Sequence, residues 1–202
     1  MRILVFDFDG VISDSAETHV KIFNRLCRKY GLSPVKDAVE YGKLFGKNFY
    51  ESAVGLGLKR EMIPELLRDF TENCLKEKIH LFQGAKEMLE SLSAGNEIII
   101  VTSNVTASVE KNLAENGIVY IKEILGGDKG TSKVEKLLML KKRFSGSDVY
   151  FIGDTAGDMK EGKEAGVKTV AVTWGIHSKD ELRKETPDYI VDSVRELEVL
   201  FR

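Results

Sequence analysis

The segment Met1-Arg-Ile-Leu-Val-Phe6-Asp7-Phe8-Asp9-Gly10-Val-Ile-Ser-Asp14-Ser15 decides how the chain is read. Residues 3–6 are a short apolar run with the length and β-branching of a strand buried on both faces. The run stops at two acids spaced by two. Side chains at that spacing leave an extended backbone on the same side, so Asp7 and Asp9 converge while Phe8 points away into packing. Gly10 permits the sharp exit that keeps the second carboxylate beside the first. Two carboxylates this close repel, which raises one pKa unless a cation lies between them.

Working outward, five further runs of the same kind follow at residues 98–101, 121–125, 149–152, 169–172 and 189–191. Helix-period segments separate them. Three begin with the serine-to-glutamate spacing of a capping box, at Ser132/Glu135, Ser178/Glu181 and Ser193/Glu196. Strand then helix, repeated, predicts a doubly wound α/β fold with a mainly parallel sheet. The rhythm breaks once, because residues 15–81 carry helical patterns and no convincing strand. Ile22, Leu26 and Tyr30 recur on one face before Gly31. Ser33-Pro34 has the N-cap and first-turn proline of a new helix. Ile63, Leu66, Leu67, Phe70 and Cys74 mark a longer amphipathic helix. The expected organisation is an α/β core at 1–14 and 82–202 with an inserted α-helical lobe at 15–81, too long to be a simple crossover.

Composition narrows the function. The chain has 202 residues, 43% hydrophobic and 31% charged, which suits a globular domain and excludes disorder. Thirty basic against thirty-two acidic residues give a net charge of −2, without the basic excess expected of a nucleic-acid binder. The two cysteines, Cys27 and Cys74, sit inside helical patterns and argue against a disulfide framework or thiolate zinc site. No signal peptide or membrane-spanning stretch is read. The expectation is a cytoplasmic protein, monomer or homodimer, with neither nucleic acid nor membrane as partner.

In an open parallel sheet, ligands bind beyond the carboxyl ends of the strands. The residues there are Asp7 and Asp9, then Thr102-Ser103-Asn104, then Asp154 and Asp158 in Gly153-Asp-Thr-Ala-Gly-Asp158. Lys133 opens the helix after the third run, on the same edge. Four converging carboxylates without histidine or thiolate select Mg²⁺, which keeps waters and welcomes a substrate phosphate. Gly10, Thr102, Ser103, Asn104 and Lys133 are the candidate phosphate-binding positions, through hydroxyl, backbone donors near a helix start, and a fixed positive charge.

These residues resemble the four motifs of the haloacid dehalogenase superfamily. Asp7-Phe-Asp9-Gly10 is similar to its first motif, residues 98–104 ending Thr102-Ser-Asn104 to its second, Lys133 to its third, and Gly153-Asp154…Asp158 to its fourth. They occur in family order, and the lobe at 15–81 is similar to the helical cap of one branch. The ending Trp174-Gly175…Pro187-Asp188 looks like the phosphoglycolate phosphatase group. The resemblance implies a phosphoric monoester hydrolase acting on a small phosphorylated metabolite. Asp7 would be the nucleophile, forming an aspartyl-phosphate, and Asp9 the acid and base. Thr102 and Lys133 would hold the phosphoryl group. Mg²⁺ would be bound by Asp7, the Asp9 carbonyl and Asp154, with Asp158 acting through water. Lys129 and Lys136 are alternatives to Lys133, because the prolines that usually follow the motif lysine are missing.

Two other functions fit parts of the pattern. Val11-Ile12 followed by His19 is similar to β-phosphoglucomutase, a sugar-phosphate mutase. A phospho-aspartate receiver or binding module also joins Mg²⁺, an aspartate and a lysine, but receivers are shorter and lack a helical insert. For His19 the plainer reading is structural, and for His177 loop surface. Tyr41, Leu44, Phe45, Phe49 and Tyr50 read as the lobe's own small core, and Lys43 and Lys47 as a solvated face.

Overall fold

The computed structural model describes residues 1–45 and 53–202. Its centre is a six-stranded, wholly parallel sheet. In chain order the strands of this sheet are β1 (Arg2–Phe6), β4 (Asn96–Val101), β5 (Glu123–Leu125), β6 (Val149–Gly153), β7 (Lys168–Val172) and β8 (Tyr189–Val191). Across the sheet they run β5-β4-β1-β6-β7-β8. The chain builds outward from β1 through β4 to β5, then returns to β1's other side with β6. That reversal puts a crevice at the carboxyl ends of β1 and β6, where ligands bind in folds of this type. The doubly wound α/β class expected from the alternating runs is the class observed.

Both faces of β1 are buried, which is why it reads as an unbroken apolar run rather than an alternation. Leu4 and Phe6 pack with Ile98, Ile100 and Ile152 under helices α4 (Ala85–Ser93) and α9 (Val194–Phe201). Ile3 and Val5 pack with Ile99, Val101 and Phe151 against Leu137 and Leu140 of α6 (Lys133–Arg143). Burying each of these large side chains contributes about 1.5–3 kcal/mol. The remaining core helices are α5 (Thr106–Glu115), α7 (Ala156–Glu164) and α8 (Lys179–Lys184).

The stretch between β1 and β4 has a core of its own. Helices α1 (Ala16–Tyr30), α2 (Ala38–Gly42) and α3 (Ile63–Cys74) enclose Ile22, Phe23, Leu26, Cys27, Tyr41, Leu44, Ile63, Leu66 and Cys74. Helix α1 ends at Gly31, whose φ of 69° is the left-handed C-cap for which glycine is suited. Cys27 and Cys74 are buried and unpaired by disulfide. Phe49, Tyr50 and Lys47 lie outside the described residues, as does the side chain of Phe45.

Three local expectations are corrected. Ser33-Pro34 does not start a helix: Asn24 donates to the Val35 carbonyl and accepts its amide, both at 2.8 Å, which pins the segment as extended chain. The helix begins at Ala38, with Asp37 accepting the Glu40 amide at 2.8 Å. The stretch 15–81 also contains strand at its end: β3 (His80–Leu81) pairs antiparallel with β2 (Ser13–Asp14), which lies just before it, in a ribbon joining the two connections. Two residues have no periodicity to read, and the ribbon exists only because distant chain ends meet. At Ser193 the reciprocal half of the capping box is absent, since the Glu196 carboxylate accepts from Asp192 rather than Ser193.

Candidate active site

The end of β1 delivers Asp7 and the end of β6 delivers Asp154 to adjacent positions, because the two strands are paired and the Asp7 amide continues the ladder to the Ile152 carbonyl. Asp158 joins them from the first turn of α7, where Thr155 and Asp158 form a capping box. One oxygen from each of Asp7, Asp154 and Asp158 lies within 4.8 Å of the others, and all three residues are buried. Three glycines make this packing possible. A Cβ at Gly10, where φ is +80°, would sit 2.0 Å from Asp154 Oδ2. One at Gly175 would sit 2.3 Å from the same atom, and one at Gly153 would overlap the Asp158 side chain.

Lys133 is the counter-charge. Its Nζ lies 2.7 Å from Asp7 Oδ2 and 2.7 Å from Asp158 Oδ1. It is aimed there by the Ser132/Glu135 capping box, which sets the start of α6. The two other lysines considered go elsewhere: Lys129 is exposed near Asp128, and Lys136 is buried against the Gly126 carbonyl at 2.9 Å.

The charges do not balance. Three carboxylates against one ammonium leave two formal negative charges in a buried site. Burial pushes Asp7 up to about 7, with Lys133 opposing and Asp158 adding. Burial, then the charges of Asp158 and Asp7, push Asp154 well above the ordinary carboxylate value. Asp158 is also pushed up by burial, yet Lys133 and the Thr155 hydrogen bonds hold it below that value. Despite its burial, Lys133 is held well above the usual amine value by Asp158 and Asp7. Asp154 Oδ1 is buried and, among the described residues, has no hydrogen-bond partner. An oxygen-only donor set with an excess of negative charge and an orphaned carboxylate oxygen suits a hard divalent cation.

The second motif lies alongside. Thr102 directly follows β4, is 1% exposed, and its Oγ1 accepts the Asn104 amide at 3.1 Å. Asn104 Nδ2 donates to Asp9 Oδ2 at 3.0 Å, so the asparagine orients the second acid of the first motif. Ser103 is exposed, and its carbonyl is so close to Gly127 that a Cβ there would lie 2.3 Å away. The Gly10 amide is taken by the Ser13 carbonyl at 2.9 Å. The Asp9 carboxylate stands apart from the acidic triad and faces the helical lobe.

Of two histidines, His19 is buried against Tyr41 and Phe70 in keeping with its structural reading, and His177 differs from its reading as loop surface. His19, in α1, is buried and its Nε2 lies 3.7 Å from Asp9 Oδ1, so it belongs to the site's surroundings. His177 is 7% exposed rather than loop surface: its Nδ1 accepts the Ala156 amide at 2.9 Å. The His19 contact crosses from a helix to the segment after β1 and the His177 contact spans 21 positions, and neither belongs to a periodic pattern within one element. The Thr155/Asp158 box was legible as Thr155-Ala-Gly-Asp158, but the serine-to-glutamate spacing alone does not include it.

Comparison with known proteins bears on this geometry. The sequence profile of the haloacid dehalogenase-like hydrolases matches residues 4–172. The chain belongs to that family. It is 26% identical to a phosphoglycolate phosphatase of Vibrio parahaemolyticus, over 98% of this chain and 94% of that protein. It is also 26% identical to an N-acetylmuramic acid 6-phosphate phosphatase of Pseudomonas putida, again over 98% and 94%. The fold is similar to the crystal structure of a predicted phosphatase from Clostridium acetobutylicum, with a TM-score of 0.84, 24% identity, and coverage of 98% and 97%. The enzyme class expected from the motifs, a phosphoric monoester hydrolase of this superfamily, holds. No helix among the described residues is long and apolar enough to cross a membrane.

Proposed function

We propose that this haloacid dehalogenase-like hydrolase releases phosphate from a small phosphomonoester metabolite, with Mg²⁺ as cofactor and an aspartyl-phosphate on Asp7. The observation that carries the reading is Lys133 wedged between Asp7 and Asp158, with the unpartnered Asp154 oxygen beside them. One ammonium and one divalent cation together neutralise the three acids, so the cluster no longer repels a phosphate dianion. The two curated relatives named above act on different phosphomonoesters, so the shared chemistry is the ester and not the organic group. Phosphoglycolate is the leading substrate.

Asp7 is held for attack by two donors, the Phe8 amide on Oδ1 at 2.7 Å and Lys133 on Oδ2. One of its oxygens bonds to phosphorus while the ester oxygen departs and takes a proton from Asp9. The Asp9 carboxylate then removes a proton from water, which attacks the same phosphorus, releasing inorganic phosphate and restoring Asp7. Asn104 fixes the Asp9 carboxyl for both proton transfers. Lys133 and the Thr102 hydroxyl stabilise the equatorial oxygens, where charge gathers in the transition state. Asp7, Asp154, Asp158 and the Asp9 carbonyl would hold a divalent cation, which would supply charge neutralisation for an anionic ester. Residues 15–81 act as a cap that closes over the substrate and excludes bulk water, and the β2–β3 ribbon is where it hinges.

The test is phosphate release from a panel of small phosphomonoesters, with and without Mg²⁺, for wild type and Asp7→Ala. Metal-dependent release that disappears in Asp7→Ala supports the reading, and no release from any ester sinks it. A second reading, a sugar-phosphate mutase, has one observation in its favour: His19 beside Asp9, where it could move protons between sugar oxygens. That reading requires priming by a sugar bisphosphate, and His19→Ala should slow isomerisation far more than hydrolysis.

A further inference from the structure

Residues 174–177 follow β7 and touch the site from outside the four motifs. Trp174 Nε1 donates to the Val11 carbonyl at 3.1 Å, in the turn after Asp9. Gly175 lies against Asp154, and the Ile176 amide donates to Asp154 Oδ2 at 2.8 Å. The His177 amide reaches the Asp154 carbonyl at 3.3 Å. The His177 ring faces two ways. Its Nδ1 accepts from Ala156, the first residue of the helix that carries Asp158. With Nδ1 committed as acceptor, the ring hydrogen sits on Nε2. That nitrogen lies 3.3 Å from the carbonyl oxygen of Gly42, the last residue of α2 in the helical lobe. The Ile176 side chain packs directly on the Gly42 backbone here, since a Cβ at Gly42 would stand 2.1 Å from Ile176 Cγ2.

We propose that His177 is a positioning residue that couples the seating of the helical lobe at Gly42 to the orientation of Asp154 and of the Asp158 helix. This rests on the reading of the acidic site as a phosphatase centre covered by that lobe. With α2 seated, Gly42 and the imidazole clamp residues 176–177 where the Ile176 amide meets Asp154. With α2 withdrawn, the Nε2 hydrogen loses its buried acceptor and Ile176 loses the surface it packs on. The loop then gains freedom, and Asp154 loses the backbone donor that aims it. The acids reach their working arrangement when the site is covered, so a reactive phosphoryl group is handled only out of bulk water.

Gly42 touches none of the acids, which makes Gly42→Ala the decisive variant. Hydrogen exchange of the full-length protein, resolved by amide, is read against the strand β6 as internal reference. In Gly42→Ala the Ile176 and Ala156 amides should exchange about tenfold faster while β6 is unchanged, as expected of local rather than global opening. His177→Asn keeps an acceptor at the Nδ1 position and cannot reach Gly42. It should speed exchange at Ile176 and leave Ala156 protected. The double variant should be no worse than Gly42→Ala at Ile176, because both cut one link. For hydrolysis of p-nitrophenyl phosphate, both single variants should lower kcat/KM by about tenfold, within the range of typical coupling between sites. Unchanged exchange at Ile176 in both variants overturns the proposal whatever the activity. Faster exchange spread evenly over β6 overturns it too, since that is ordinary destabilisation. A wild-type protein that releases no phosphate from any ester would instead remove the phosphatase reading, and the exchange data would still decide the coupling.

Discussion

Replacing Asp7 with asparagine should make the metal-free protein more stable at alkaline pH, although it removes the proposed nucleophile. Asp7 is 7% exposed and its pKa is pushed from 3.8 to about 7, first by burial and further by Asp158, against the pull of Lys133. For an acid with a raised folded pKa, the stability present below the unfolded value is lost as pH climbs through the folded one. The window is therefore pH 3.8 to about 7. At about 1.4 kcal/mol per pH unit, an interval of roughly three units corresponds to about 4 kcal/mol. Asparagine has the same shape and never ionises, and its single carbonyl oxygen keeps one of the two hydrogen bonds that Asp7 accepts from Phe8 and Lys133. Allowing for the exchange of protons among the three acids, a gain of about 2–4 kcal/mol at pH 8 is expected, a rise in Tm on the order of 10 °C for a chain this long. The assay is calorimetric unfolding in EDTA at pH 5 and pH 8. Wild type and variant should converge toward acid and separate toward base. Mg²⁺ should then close most of the gap, since ion at about a hundred times its Kd adds about 2.7 kcal/mol to the wild type. A variant no more stable than wild type in EDTA at pH 8 would falsify the claim that Asp7 carries uncompensated charge.

Further outcomes follow from the same geometry. Lys133→Met should lower kcat by about 10²–10³-fold, the cost of removing one preorganised donor to transition-state charge, measured as steady-state phosphate release. Because it strands Asp7 and Asp158, it should also destabilise the fold by about 3–5 kcal/mol in urea unfolding. Gly10→Ala places a Cβ 2.0 Å from Asp154 Oδ2 at a φ of +80°. Turnover and divalent-ion binding by calorimetry should both fall, with about 1–2 kcal/mol of backbone strain added. Burial pushes Glu161, which lies near Lys133, up to about 7, so its charge costs stability as pH rises from 4.5 toward that value. Glu161→Gln should therefore be more stable than wild type at pH 8, by at most about 3 kcal/mol, and equal to it near pH 4.

Most of the α/β core was legible because its signals are local. A strand buried on both faces announces itself as a continuous apolar run, and its end announces where function can sit. Asp7, Thr102 and Asp154 each close such a run, and Lys133 follows a cap serine, so four positions far apart in sequence could be assigned to one edge before any fold was known. The acids' oxygen-only chemistry likewise pointed to a hard cation without coordinates. The lobe was legible as helical and no further. Ser33-Pro34 read as a helix start, and the Asn24 side chain overrode it from another element.

Sequence by itself determined the fold class, the order of the motifs and the residue types at the strand ends, since each depends on hydrophobic period or spacing within a few residues. Tertiary structure alone decided which groups touch. Asn104 takes Asp9, His19 approaches it from the lobe, and His177 joins the Asp158 helix to Gly42 across 135 positions of chain. Those contacts depend on how two separately packed cores meet, and the energies that set that meeting act between surfaces with no shared local pattern in the chain.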